Sequence, residues 1–228
     1  MQTIHDFRAL ALDLGLDDRF EDEVLAEVRA HEADPRIDDP ALEDLRALPF
    51  VTVDGPLTRD LDQALHVARD GAGFRLRYAI ADASFYVAPG SALFREALRR
   101  GASFYLPGYS VPMLPRALSE GLVSLGPNVE RRALVFDVRL DAQGSVLGYA
   151  LVRGRIRSRA KLSFQDVDAL LEEPRRAALA GHEAEESLTL LGRVGELRAN
   201  HEDRRQMVRY ARVDAAVRLD ADGTVSVV

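Results

Sequence analysis

A chain of 228 residues, 47% of them hydrophobic, is long enough to bury a core as one domain or one and a half. It has no cysteine, which excludes disulfides and thiolate metal sites. With no apolar run of ~18 residues and no signal-type start, the expectation is a soluble cytoplasmic protein with no membrane partner. The net charge of −7 hides an uneven split: residues 1–45 carry 14 Asp/Glu against 4 Arg, and the remainder 26 Lys/Arg against 23 Asp/Glu.

The acidic start reads as helical. Phe7, Leu10, Ala11 and Leu14 recur at helical spacing over 3–14 and stop at Gly15. A second helix is predicted after Asp17 or Asp18, with Phe20, Val24, Leu25 and Val28 on one face, ending at Asp34-Pro35. Asp39-Pro40 offers an N-cap and a first-turn proline for a short helix through Leu48. Residues 1–45 are thus expected to form an acidic helical segment ahead of a body beginning at 46.

From Pro49 the apolar period changes to two. Strands are predicted at 50–54, 64–69, 74–81, 133–140, 146–157 and 212–219. Hairpin turns are expected at Asp70-Gly71-Ala72-Gly73, Asp141-Ala142-Gln143-Gly144 and Asp220-Ala221-Asp222-Gly223. Helices are predicted at 91–100, 164–172 and 183–207. The fold class is α/β in the α+β sense, a mixed and largely antiparallel sheet flanked by helices. Val228 falls inside an unfinished hairpin, so a piece of a longer protein, or one piece of an assembled pair, is expected.

Two patterns carry chemistry. Asp54-Gly-Pro-Leu-Thr-Arg-Asp60-Leu-Asp62 puts three carboxylates in nine positions at the end of an apolar strand, with Gln63 next. Such crowding repels unless it is neutralised, and a hard divalent cation such as Mg²⁺ neutralises it with oxygen ligands. The alternative is a solvated turn. Further on, Arg153, Arg155, Arg157, Arg159 and Lys161 occupy every second position, so a strand would place all five on one face. That row is either a phosphate track or a charged sheet face that discourages aggregation.

The acidic cluster is followed in order by Tyr78-Ala79-Ile80-Ala81-Asp82-Ala83-Ser84-Phe85-Tyr86-Val87, Phe104-Tyr105-Leu106-Pro107-Gly108 and Val111-Pro112-Met113-Leu114-Pro115. Leu118-Ser119, Leu122-Val123-Ser124-Leu125 and Ala160-Lys161-Leu162-Ser163-Phe164 complete the series. This ordered set, over about 46–228, resembles the ribonuclease II (RNB) exoribonuclease family. The resemblance implies an RNB-type fold and a Mg²⁺-dependent 3′→5′ hydrolytic exoribonuclease that releases nucleoside 5′-monophosphates from single-stranded RNA.

In that family the motif has the form Asp-x5-Asp-x-Asp-Asp. Asp54, Asp60 and Asp62 match its first three acids, and Gln63 departs from the fourth. By the resemblance Asp54 and Asp60 are metal ligands, and Asp62 ligates or orients the attacking water. Gln63 can offer only a carbonyl oxygen, so metal binding should weaken. Tyr105 lies where the family stacks an aromatic on a base, the alternative being core packing. Asp82 is either a structural hydrogen-bonding residue or a catalytic one.

The five histidines show no metal spacing, Ser110 and Ser124 lack a nucleophile elbow, and no phosphate loop is present. The family's site draws further groups, an arginine among them, from the second half of its domain. That half, in the same protein or a companion chain, is therefore an expected partner beside single-stranded RNA, and residues 1–228 alone are expected to show little activity. A catalytically weakened RNA-binding or regulatory protein is the alternative. A third reading has the acidic 1–45 segment occupying the RNA channel as a polyanion mimic.

Overall fold

The computed structural model describes residues 7–173, 177–201, 217–219 and 225–227. In chain order the elements are helices α1 (Phe7–Asp13) and α2 (Asp22–Ala33), then strands β1 (Glu43–Asp44), β2 (Phe50–Val53), β3 (Gln63–Asp70) and β4 (Gly73–Ala81). Next come α3 (Ala83–Tyr86), α4 (Ala92–Arg100), β5 (Phe104–Leu106), β6 (Tyr109–Val111) and a π-helical turn over Ala117–Leu122. Strands β7 (Glu130–Leu140) and β8 (Val146–Leu162), helices α5 (Phe164–Glu172) and α6 (Glu185–Ala199), and strands β9 (Val217–Leu219) and β10 (Val225–Val227) complete the described chain. They fall into two units, one from 34–86 and 118–201, the other from 7–33, 87–117 and the last two strands.

The larger unit is organised by β8. Its first part pairs antiparallel with β7, from Leu140↔Val146 to Glu130↔Arg157. Its last part runs parallel to β2, from Phe50↔Ser158 to Val53↔Leu162. Antiparallel pairings of β2 with β3, β3 with β4 and β4 with β7 then close the ring, and β1 adds a two-residue parallel pairing at Gly154 and Arg155. Between Phe50↔Ser158 and Val51↔Ala160 the register skips Arg159, a bulge where β8 changes neighbour. The fold is α+β with a largely antiparallel sheet, as the apolar periodicity indicated.

Turn chemistry sets the registers. Gly71, at φ 57°, sits in the two-residue loop that joins β3 to β4 at Asp70↔Gly73. In the β7–β8 turn the Asp141 carboxylate accepts from the Gln143 and Ser145 amides. Ser163 ends β8 and caps α5: its hydroxyl accepts from the Asp166 amide while the Asp166 carboxylate accepts from the Ser163 amide. Helices α5 and α6 bury their apolar faces on the sheet in two clusters. One joins Val51 and Leu162 to Val167, Leu170 and Leu188, and the other joins Val67, Phe74 and Leu140 to Leu190 and Val194. Each such burial is worth ~1.5–3 kcal/mol.

The helix expected over 40–48 does not form. Asp39 caps a turn instead, its carboxylate accepting from the Ala41 amide and its carbonyl from the Leu42 amide, and the chain continues as β1 beside β8. The side chain that Gly154 lacks makes room for Leu45, whose Cδ1 lies 3.0 Å from where a Cβ would stand. The pairing with β8 outweighs a local N-cap signal.

In the smaller unit α2 packs on α4, whose N-cap Ser91 accepts from the Phe94 amide. At the end of α4, Glu96 binds both Arg99 and Arg100, and the Arg100 guanidinium stacks 3.9 Å from the Phe20 ring centroid while donating to the Asp17 carbonyl. Strands β5 and β6 form a hairpin, and β9 pairs antiparallel with β10. Of the predicted strand 212–219 only 217–219 is described. The turn at 220–223, residues 202–207 of the predicted last helix and the start of the first helix lie outside the described residues. Among the described residues no helix is long and apolar enough to cross a membrane.

Candidate active site

The carboxylate loop joins β2 to β3 and is held to the barrel at several points. As β2 ends, the Asp54 amide donates to the Leu162 carbonyl at 3.0 Å. The Asp54 carboxylate folds onto its own loop, accepting from the Gly55 amide at 2.6 Å and the Thr58 hydroxyl at 2.8 Å. Lys161 Nζ donates to the carbonyls of Pro56 at 2.9 Å and Thr58 at 2.6 Å. Leu61 is buried between Asp60 and Asp62, and its amide and carbonyl bond Ser124 Oγ and the Leu125 amide. The Asp62 carbonyl accepts from the Ala81 amide at 2.9 Å.

This anchoring leaves Asp54 and Asp60 half-buried, with Asp62 and Gln63 exposed. Gln63 opens β3 opposite Ile80, and Leu65 stands opposite Tyr78 one step further along the same face. The Tyr78 hydroxyl is pushed up from its ordinary range, first by burial and then by the nearby Asp62 carboxylate. Three carboxylates and an amide are all hard oxygen donors, a set whose chemistry suits Mg²⁺. Among the described residues, however, no three His, Cys, Asp or Glu side chains converge closely enough to hold a metal ion. Asp54, bonded to Thr58, is turned inward on its own loop.

Other residues singled out in the sequence have separate settings. The cationic row does lie along β8, where Gly154, Ile156 and Ser158 alternate with it and are buried. Most of its charges are engaged within the barrel. Arg155 pairs with Asp38 at 2.6 Å, Arg159 donates to the Arg46 carbonyl at 2.9 Å, and Lys161 holds the loop. Arg153, half-exposed, lies 3.3 Å from the Asp82 carboxylate, and Arg157 Nε is buried without a hydrogen bond. Tyr105 lies on β5 of the smaller unit with its side chain 72% exposed, which sets aside core packing.

Asp82 is a structural anchor in this arrangement. It is buried, accepts from the Ser84 hydroxyl at 2.8 Å and faces Arg132 and Arg153. Ser124, which sequence reasoning considered only as a nucleophile, is instead a buried support of the loop. A lone hydroxyl inside the apolar run Leu122-Val123-Ser124-Leu125 was the signal, because a buried polar group requires partners.

The class so defined is a mixed α+β domain built on a closed sheet, with a loop of hard oxygen donors at the end of one strand. Residues 42–228 match the family model for the RNB domain. Ribonuclease R of Acidithiobacillus ferrooxidans is 43% identical over 158 residues, covering 69% of this chain and 36% of that protein. Exoribonuclease 2 of Photorhabdus laumondii subsp. laumondii is 38% identical over 198 residues, covering 85% of this chain and 30% of that one. Among solved structures, Mycoplasma genitalium RNase R in complex with ribose-methylated single-stranded RNA is similar with a TM-score of 0.84 at 27% identity, over 98% of this chain and 35% of that chain. This chain belongs to the RNB family. It spans about a third of the length of these relatives.

Proposed function

We propose that the chain carries the metal-binding half of a Mg²⁺-dependent exoribonuclease site, acting hydrolytically from 3′ to 5′ on single-stranded RNA and releasing nucleoside 5′-monophosphates. The observation that carries this reading is the loop Asp54–Asp62, held by backbone and side-chain bonds at the end of β2 within an RNB domain. Asp54 and Asp60 are assigned as metal ligands, Asp62 as a ligand or the group orienting the attacking water, and Gln63 as an uncharged fourth donor. Bound there, Mg²⁺ would stabilise charge on the scissile phosphate and acidify a water molecule. The hydrogen bonds that Asp54 accepts from the Gly55 amide and the Thr58 hydroxyl both fall on Oδ1, so Oδ2 is the oxygen that would meet the cation.

Tyr105, exposed on β5, is assigned to stacking on an RNA base, an interaction that tolerates any sequence and is worth ~1–3 kcal/mol per base. In the cationic row Arg153, with half its side chain exposed, is the best placed of the ion-paired members for a phosphate. The partner in the complete site is the second half of the RNB domain, and the compartment is the cytoplasm. A second reading has the same fold holding RNA without cutting it. It is favoured by Gln63, which brings no charge, and by carboxylates that do not converge among the described residues.

The test places Asp62→Asn in the complete protein and follows shortening of a 5′-labelled single-stranded RNA in Mg²⁺. Loss of cleavage with retained RNA binding supports the enzyme. Undiminished cleavage removes the assigned site, and an unmutated protein that binds RNA but never shortens it establishes the second reading.

A further inference from the structure

The carboxylate loop needs its acids held in place, and the bonds from Gly55 and Thr58 to Asp54 tie the loop only to itself. Nine residues containing one glycine and one proline leave many backbone conformations open, whereas ligand groups must sit within ~0.5 Å of their working positions. Two side chains from distant parts of the larger unit add constraint from outside the loop.

The first is Ser124. It is 5% exposed, and its hydroxyl donates to the Arg59 carbonyl at 2.7 Å while accepting from the Leu61 amide at 3.1 Å. Those two groups flank Asp60, so one oxygen restrains the backbone on both sides of that carboxylate. Ser124 is itself held, because its carbonyl accepts from Arg131 Nε at 3.0 Å and the next amide, of Leu125, donates to the Leu61 carbonyl at 2.7 Å. The second is Lys161. Its ammonium bonds the carbonyls on either side of Leu57, and the Thr58 hydroxyl passes the restraint to the Asp54 carboxylate. Ser124 therefore holds the Asp60 arm of the loop, and Lys161 the Asp54 arm.

We propose that Ser124 and Lys161 are positioning residues that hold the Asp54 and Asp60 carboxylates for the cation, Lys161 serving the loop and not an RNA phosphate. This inference rests on the metal-site reading given above. Neither residue touches the reacting groups; each acts through the backbone or through a neighbour.

The experiment uses the complete protein with Ser124→Ala, Lys161→Met and Lys161→Arg, and Asp62→Asn as the reference. Three quantities are measured: Mn²⁺ binding by loss of the free-ion electron paramagnetic resonance signal, the Mg²⁺ concentration giving half-maximal RNA cleavage, and the salt dependence of RNA binding without metal. Supports of metal ligands are worth about 10- to 100-fold in affinity. Ser124→Ala and Lys161→Met should weaken Mn²⁺ binding by about that factor, with cleavage recovering at raised Mg²⁺. Lys161→Arg, which keeps the donors, should restore much of the affinity. The salt slope of Lys161→Met should equal that of the parent, whereas a lost phosphate contact lowers it by about one.

Unchanged Mn²⁺ affinity in Ser124→Ala or in Lys161→Met overturns the assignment of that residue, and a salt slope reduced by one in Lys161→Met makes it an RNA contact. Should Ser124→Ala fail to fold, Lys161→Met decides, because its side chain reaches the loop surface. If Asp62→Asn retains both cleavage and Mn²⁺ binding, the metal-site reading has failed. If Asp62→Asn loses them while Ser124→Ala and Lys161→Met bind Mn²⁺ normally, only the positioning role has failed.

Discussion

Replacing Arg132 by methionine tests the buried charge cluster of the larger unit. The Arg132 side chain is 3% exposed. Its Nη1 donates to the Arg36 carbonyl at 2.6 Å and lies 3.5 Å from Asp39, its Nε lies 3.8 Å from Asp82, and the guanidinium sits 3.6 Å from the Phe85 ring centroid. Methionine fills much of the volume and keeps contact with Phe85, but it strands the fully buried Asp82 carboxylate. Removing one partner of a buried pair costs ~3–5 kcal/mol. Arg153 remains 3.3 Å from Asp82, so the lower end, ~3 kcal/mol, is expected.

The Arg36 carbonyl also loses its donor, and Arg36 sits at φ 52°, a left-handed conformation that a non-glycine residue holds only when its surroundings fix it. For a chain of this size ~3 kcal/mol corresponds to a fall in Tm of about 6–12 °C. Thermal unfolding followed by circular dichroism at pH 7 measures it. The double variant with Asp82→Asn should recover part of the loss, since the stranded charge is then gone. A Tm for Arg132→Met within about 2 °C of the parent would refute the claim that this cluster is energetically coupled.

Two further outcomes are expected. Gln63→Asp in the complete protein adds a charge beside the exposed Asp62, so the Mg²⁺ concentration for half-maximal cleavage should fall severalfold; an unchanged value would place Gln63 outside the site. In the smaller unit, hydrogen bonds from Arg99 and then Arg100, against the opposing effect of burial, hold the Glu96 carboxyl at about 2, below its ordinary 4.5. That stabilisation is complete above the ordinary value and is lost as pH falls through the lower one. Glu96→Gln should therefore remove part of the acid-induced fall in Tm between about pH 4.5 and 2.

Most of the barrel was legible because its strands alternate and its turns carry glycine and aspartate where the registers need them, as at Gly71 and Asp141. The short helix at 40–48 misled because Asp39 ahead of Pro40 serves equally as a helix cap and as the start of a capped turn. Only β8, more than a hundred residues away in sequence, decides between them. The three aspartates were legible as a loop at a strand end, and the cationic row as one face of a strand. What the row does was not, because Asp38 and the Thr58 carbonyl, which engage Arg155 and Lys161, are far from it in sequence. Ser124 was overlooked for the same reason: both of its partners, at Arg59 and Leu61, belong to another part of the chain.

The closed ring also has a consequence in time. Strand β2, which carries the acidic loop, borders β3 on one side and on the other a strand whose pairing residues, Ser158 to Leu162, are made about a hundred residues later. At ~5–20 residues per second of synthesis, the loop emerges roughly 5–20 s before Lys161 exists to hold it. Until β8 arrives, β2 has an open edge and Asp54 lacks the Leu162 carbonyl that fixes its amide. On the proposed reading, a growing chain still tethered to its own messenger RNA holds the three aspartates of its cutting site long before it can set them.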